Sequence, residues 1–180
     1  MVKYISVNVY KNIDDVAELL LDGKVGIVPT DTVYGLVARA ADEQAVARLY
    51  SLKSRDQKPG TIIAANVEQL VELGIKRRYM KPVEHYWPNP LSVVIPCDGL
   101  QYLHVGKFSL ALRIPAHETL RKLLAQTGPL LTSSANHAGE PTSVTVAQAQ
   151  DYFGSQVDFY VDGVDLSGHN PSTIIRVVDD

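Results

Sequence analysis

Cysteine is nearly absent: Cys97 is the one thiol in 180 residues. No internal disulfide can form, which fits a reducing cytosol and leaves stability to the core. Zinc-site spacing is also lacking. The five histidines, His85, His104, His117, His137 and His169, stand far apart, so each reads as a surface or hydrogen-bonded histidine, and no metal-ligating residue is expected. There is no Walker A loop and no Gly-x-Gly-x-x-Gly, so a nucleotide would have to be held by another device. No apolar run is long enough to span a bilayer. The opening Met1 to Tyr10 alternates polar and apolar residues, with Ile5, Val7 and Val9 on one face, and reads as a strand rather than a signal peptide. A cytoplasmic protein without a membrane partner is expected. An excess of positive charge is missing too: 17 Lys plus Arg against 20 Asp plus Glu leave −3. That excludes a surface that traps nucleic acid as a whole and favours a small anionic ligand held by a local cluster.

What is present is ordinary for a globular chain, 46% apolar and 21% charged. No repeat, low-complexity tract or linker interrupts it, so one domain over residues 1–180 is expected. Helical and strand patterns alternate. Asn12 caps a helix to Asp22 with Ile13, Val16, Leu19 and Leu20 inward, and Gly23 ends it. Val25 to Pro29 is a buried strand. Asp42 opens a helix with Ala45, Val46 and Leu49 inward. Thr61 to Ala65 is a strand, and Asn66 with Gln69 resembles a capping box. Lys76 to Trp87, interrupted by Pro82, reads as a kinked helix or two short ones. Leu91 to Ile95 and Leu110 to Ile114 are strands, His117 to Gln126 is a helix closed by Gly128, and Pro129 to Thr132 is a short strand. Thr145 with Gln148 caps a helix ending at Gly154, and strands at Val157 to Val161 and Thr173 to Val178 close the sheet. The class is α/β with a mixed sheet.

Five segments carry chemistry. In Val28-Pro-Thr-Asp-Thr-Val-Tyr-Gly-Leu36 a buried strand runs into two hydroxyls and a carboxylate, the place where α/β folds put ligands; a local cap at Thr30 or Asp31 is the plainer reading. Lys53, Arg55 and Lys58 lie at a helix end and in the loop after it. They suit phosphate oxygens, or simply the helix C-terminus. Residues two apart in a helix point about 200° from each other, so Lys53 and Arg55 share a ligand only if the helix ends near Ser54. In Ser109-Leu-Ala-Leu-Arg-Ile-Pro115 the apolar residues share one face, and Ser109, Ala111 and Arg113 share the other. Arg113 there holds a carboxylate or phosphate, or else pairs with an Asp or Glu. Leu130 to Thr142 opens into Thr132, Ser133, Ser134 and Asn136, able to cradle phosphates or an adenylate. The serines lack a nucleophile elbow, and the histidines give no triad. Ser172 and Thr173 stand where a loop enters a strand.

Taken in order, these segments resemble the YrdC-like family of threonylcarbamoyl-AMP synthases. Pro29-Thr-Asp-Thr-Val-Tyr-Gly-Leu36 is similar to that family's opening motif, and Lys53-Ser-Arg55 with Ser134-Ala-Asn136 resembles its Lys-x-Arg…Ser-x-Asn signature. Trp87-Pro-Asn-Pro-Leu91, Leu112-Arg-Ile-Pro-Ala116 and Asn170-Pro-Ser-Thr-Ile174 fall where the family has similar segments. The length is that of the short bacterial form. The resemblance implies a twisted open mixed sheet flanked by helices, with a concave basic cleft. It implies that Thr30 and Arg113 hold threonine with Thr132 and Ser172 in support. Lys53 and Arg55 would be the catalytic, phosphate-binding cations, with Ser134 and Asn136 on the nucleotide and Ser109 in support. Three departures stand out: a shorter loop after Arg55 without a proline directly following, which bears on Lys58; Asp31 where glutamate is frequent; and an end at Asp180 before an Arg-x-Gly close, for which Arg176 is a partial substitute.

The reaction so implied condenses L-threonine, bicarbonate and ATP, with Mg²⁺, to threonylcarbamoyl-AMP and pyrophosphate for the t6A modification of tRNA. The downstream partners are tRNA threonylcarbamoyl-transfer proteins, and weak tRNA binding is expected. Replacing Lys53 or Arg55 by Ala is expected to remove turnover and spare the fold. Other readings stay open: a paralogue that binds RNA or a nucleotide without synthase activity, a pure RNA-binding module, and a carbamoyl-transfer domain.

Overall fold

The computed structural model describes residues 7–53 and 58–176. The expected strand residue Ile5, the site residue Arg55 and the last expected strand residues Val177 and Val178 lie outside them. The strands are β1 (Asn8–Tyr10), β2 (Gly26–Pro29), β3 (Tyr34–Arg39), β4 (Thr61–Ile63), β5 (Leu91–Pro96), β6 (Ser109–Arg113), β7 (Leu130–Ser134), β8 (Phe159–Val161) and β9 (Thr173–Arg176). The helices are α1 (Ala17–Leu21), α2 (Glu43–Lys53), α3 (Val67–Glu72), α4 (Gln101–His104), α5 (Glu118–Thr127) and α6 (Val146–Phe153).

Local chemistry explains the boundaries. The Asn12 side chain accepts from the Asp14 N–H, two residues on rather than three. That tightens the first turn, so Ile13–Val16 is a 3-10 turn ahead of α1 instead of one continuous helix. Asn66 caps α3 through the Gln69 N–H, but the Gln69 side chain reaches back to the Ala65 N–H, one residue beyond the expected box. The charged stretch around Pro82 resolves into two 3-10 turns, Arg77–Tyr79 and Glu84–Tyr86. Two elements were not read from the sequence. β3 is buried on both faces apart from Arg39, so it lacks alternation. α4 is a single turn framed by left-handed Leu100 and Val105, which carry no capping signature.

The strand order is β1-β8-β2-β3-β7-β4-β6-β5-β9, an open sheet whose edges are β1 and β9. It is mixed: β1/β8, β2/β8, β4/β6 and β5/β9 run parallel, and the other neighbours run antiparallel. Residues directly paired across strands share a face. One face, with Ile27, Leu36, Ile62, Leu112 and Leu131, packs on α2, α3, α4 and α6 through Leu49, Leu70, Leu103 and Phe153. The other face carries Val28, Val37, Ile63, Leu130 and Phe159 and packs on α1 and α5 through Leu20, Leu120, Leu123 and Leu124. Each such side chain contributes about 1.5–3 kcal/mol on burial. The register continues this second face into Gly35, Ser134, Thr132, Thr61 and Ala111, none of which belongs to the cluster under α1 and α5. The apolar side chains stop there and hydroxyls begin.

Candidate active site

That polar continuation borders a cavity of about 110 Å³. Thr30 and Thr32 come from the turn after β2, Thr61 from β4, Arg113 from β6, Thr132 from β7, and Ser172 from the approach to β9. Room exists because position 35 is glycine: a Cβ there would lie 2.6 Å from the Thr132 Oγ1.

The turn after β2 is internally tied. The Thr30 hydroxyl donates to the Val33 carbonyl at 2.6 Å and accepts from the Thr32 N–H at 3.2 Å. Asp31, at its tip, meets Arg113 across the sheet, with Oδ1 3.2 Å from Nη2 and both side chains 5% exposed. Its other oxygen accepts from the Ala116 N–H at 3.1 Å. Of the two alternatives read from sequence for Arg113, the structure shows the pairing with an aspartate, and the same residue lines the cavity. Burial holds the guanidinium below its usual pKa, and Asp31 opposes that shift. Arg113 Nε and Asp31 Oδ1 have no hydrogen-bond partner among the described residues, so the contact is a charge pair with the fork unfilled.

Beside the cavity lies a second node. Lys53 is the last described residue of α2, so whether the helix ends before Arg55 lies outside the described residues. The Lys53 side chain, 2% exposed, donates to the Ser134 carbonyl at 2.7 Å, to the Asn136 carbonyl, and to the Asn136 Oδ1 at 3.1 Å. The Ser134 hydroxyl donates to the same Oδ1 at 2.7 Å, and the Asn136 amide donates to the Glu140 carbonyl at 2.6 Å. The ammonium thus holds the loop after β7 from beneath, and Ser134 is the residue common to node and cavity.

Of the residues expected from sequence, Thr30, Arg113, Thr132, Ser134 and Ser172 line one cavity. Lys53 and Asn136 join it through Ser134. Ser109 does not line it: its hydroxyl donates to the Lys107 carbonyl at 3.4 Å, one pleat period beyond Ala111. Arg55 lies outside the described residues, Lys58 is exposed, and Arg176 is exposed on β9. Ser172 contacts Ser92 through their hydroxyls at 3.0 Å. Sequence reasoning missed Thr61, Gly35 and Asp31 as parts of the site. Thr61 carries no signal until β4 pairs with β7, which sets it opposite Thr132. Asp31 was visible in the opening motif but read as a cap. The lining residues are hydroxyl-rich, and their one described cation, Arg113, is charge-paired, so a basic surface is not what the described cavity presents. Two histidines are hydrogen-bonded through Nδ1: that of His104 accepts from Gly106 and Phe108 N–H, while its Nε2 is buried without a partner among the described residues, and that of His117 caps α5.

The model of the Sua5–YciO–YrdC family, described as "Telomere recombination", matches residues 18–180. The chain belongs to this family. A threonylcarbamoyl-AMP synthase of Stutzerimonas stutzeri is 34% identical over 167 residues, covering 90% of each chain. The crystal structure of Pyrococcus abyssi Sua5 complexed with L-threonine superposes with a TM-score of 0.82 at 31% identity, over 95% of this chain and 54% of that one, so the chain spans about half of that larger protein. Escherichia coli YciO, at 21% identity and a TM-score of 0.79, shares the fold. The open mixed sheet flanked by helices is thus a Sua5–YciO–YrdC domain.

Proposed function

We propose that this chain is an L-threonylcarbamoyladenylate synthase, using L-threonine, bicarbonate and ATP. The observation that carries the reading is the hydroxyl-lined cavity ending on buried Arg113, set against the Lys53-held loop of Ser134 and Asn136. The cavity suits a small amino acid with a carboxylate and a hydroxyl: Arg113 takes the carboxylate, and Thr30, Thr132 and Ser172 surround the rest. The family membership and the threonine complex of the Pyrococcus relative support that assignment.

In the reaction, the threonine amine adds to the carbon of CO2 released from bicarbonate and loses a proton, giving a carbamate. A carbamate oxygen then attacks the α-phosphorus of ATP, and pyrophosphate leaves with the bond to the β-phosphate oxygen. Negative charge grows on the non-bridging oxygens. The Ser134–Asn136 loop, with the Lys53 ammonium behind it and with Arg55, is the group assigned to that charge. Holding amine, carbon and phosphorus in line is worth about 7–11 kcal/mol in favourable systems. Preference for threonine over serine rests on one methyl, about 1–3 kcal/mol. Mg²⁺ would enter with the ATP, whose phosphate oxygens are its natural ligands. The product's mixed anhydride is primed for transfer to tRNA by other proteins.

Isotope-labelled bicarbonate supplied with ATP should appear in an adenylate only when threonine is present. Label in the adenylate without threonine, or pyrophosphate release independent of threonine, would overturn the reading.

A further inference from the structure

We propose that Asp31 is the positioning residue of the amino-acid pocket, fixing the Arg113 guanidinium so that its unfilled edge stays available to the substrate carboxylate. The proposal rests on the reading of Arg113 as the carboxylate holder. Asp31 does not line that pocket. It borders a separate cavity of about 260 Å³ on the far side of the turn, so it acts through Arg113 and not on the ligand.

Two fixed points define the carboxylate. Oδ2 is held by the Ala116 N–H, just past the end of β6, and Oδ1 lies 3.2 Å from Arg113 Nη2. The carboxylate therefore joins the β2 turn to the end of β6, the two elements that supply Thr30 and Arg113. The same turn is locked by Thr30, whose hydroxyl bonds Val33 and Thr32. One rigid unit thereby sets the spacing between the hydroxyl and the guanidinium that meet one amino acid. At 5% exposure the guanidinium has almost no water to orient it, so its direction is set by its one charged neighbour. That neighbour balances the charge without filling the fork, since Arg113 Nε has no hydrogen-bond partner among the described residues. A planar fork held in place, charge-balanced and unfilled, is pre-organised for a second carboxylate.

The experiment is a double-mutant cycle with Asp31→Asn, Arg113→Gln and both, following threonine-dependent pyrophosphate release and the KM of each substrate. Asparagine keeps an acceptor for Ala116 but removes the charge. Asp31→Asn should raise the threonine KM at least about tenfold, the size of a lost charge-assisted hydrogen bond, while ATP KM and kcat at saturating threonine stay within about twofold. In the Arg113→Gln background the same change should add nothing to the threonine KM. That limb stands even if Asp31→Asn alone fails to fold, because the doubly neutral protein buries no unpaired charge. Threoninamide, which lacks the carboxylate, should lose no efficiency in Asp31→Asn, whereas general loosening of the fold would lower both substrates alike. A threonine KM that is unchanged or lowered in Asp31→Asn, or raised further on top of Arg113→Gln, sinks the proposal. If Arg113→Gln itself leaves the threonine KM unchanged, the reading of Arg113 fails instead.

Discussion

Replacing Lys53 by Met retains most of the stem's volume and deletes the ammonium. The Lys53 side chain is 2% exposed and donates to three oxygens. Of these, Asn136 Oδ1 keeps the Ser134 hydroxyl at 2.7 Å and the Ser134 carbonyl keeps the Asn136 N–H at 3.0 Å, so the change strips its donor chiefly from the Asn136 carbonyl. Each buried acceptor left without a donor costs about 1–3 kcal/mol. Part of that is offset because an ammonium no longer has to leave water. The net loss should be about 1–2 kcal/mol, against a typical total of about 5–15 kcal/mol. For a chain of this length that is a fall of roughly 2–8 °C in Tm. Calorimetry and urea titration of wild type and Lys53→Met measure it directly. A variant that loses turnover yet melts within about 1 °C of wild type would refute the reasoning and show that Lys53 serves the ligand alone. The sequence by itself led to the expectation that Lys53→Ala spares the fold; its burial argues the opposite, while Arg55→Ala is still expected to remove turnover and spare the fold.

Gly35→Ala places a Cβ 2.6 Å from the Thr132 hydroxyl and 3.2 Å from the Thr30 methyl. The threonine KM should rise about tenfold or more with a stability loss near 1 kcal/mol, and an unchanged KM would remove Gly35 from the cavity floor. Asp158 accepts from the Val25 N–H at 2.8 Å and pairs with Arg48. Burial raises its pKa, but Arg48 and the Val25 N–H outweigh it and hold the carboxyl below its usual value. Its folded pKa thus lies below the unfolded value of about 3.9, so its contribution is full above that pH and is lost as pH falls through the folded value. With both partners part-exposed, Asp158→Asn should cost only about 1 kcal/mol at neutral pH. The gap to wild type should shrink on acidification, and a widening gap would reverse the sign argued here. Burial pushes the Tyr160 phenol up to about 12, with its hydroxyl bonded to the Gly154 carbonyl at 2.7 Å. Its stabilising effect is present below the unfolded value of about 10 and is lost as pH rises through the folded one. Native wild type and Tyr160→Phe should therefore show equal phenolate absorbance near pH 11, about one unit above the ordinary tyrosine value; an extra phenolate in wild type counts against it.

The alternation in Ser109 to Ile114 identified the face of Arg113 correctly because period 2 is a local property. The inward stripe of α2, Ala45, Val46 and Leu49, was legible for the same kind of reason: it needed only the helical period. β3 was not, since a strand covered on both faces loses the alternation that marks it. Within the site, residues that sit in polar runs, Thr30, Thr132 and Ser134, could be found from the chain alone. Thr61 could not, because its membership is created by the β4–β7 pairing, a contact between residues far apart in sequence.

The two cations show the same limit from the other side. By type and spacing, Lys53 and Arg113 both read as anion holders. The fold separates them by what surrounds each group. Lys53 meets backbone and amide oxygens on its ammonium and becomes the support of a loop. Arg113 meets one carboxylate without a hydrogen bond to it, keeps a buried Nε with no partner among the described residues, and lines a cavity. A residue's charge can be read from sequence, but the number of its donors already in use is fixed by tertiary structure. That number decides whether a buried cation supports the protein or awaits a ligand. By this argument, substituting Lys53 should register first in the melting curve, and substituting Arg113 should register first in the threonine KM.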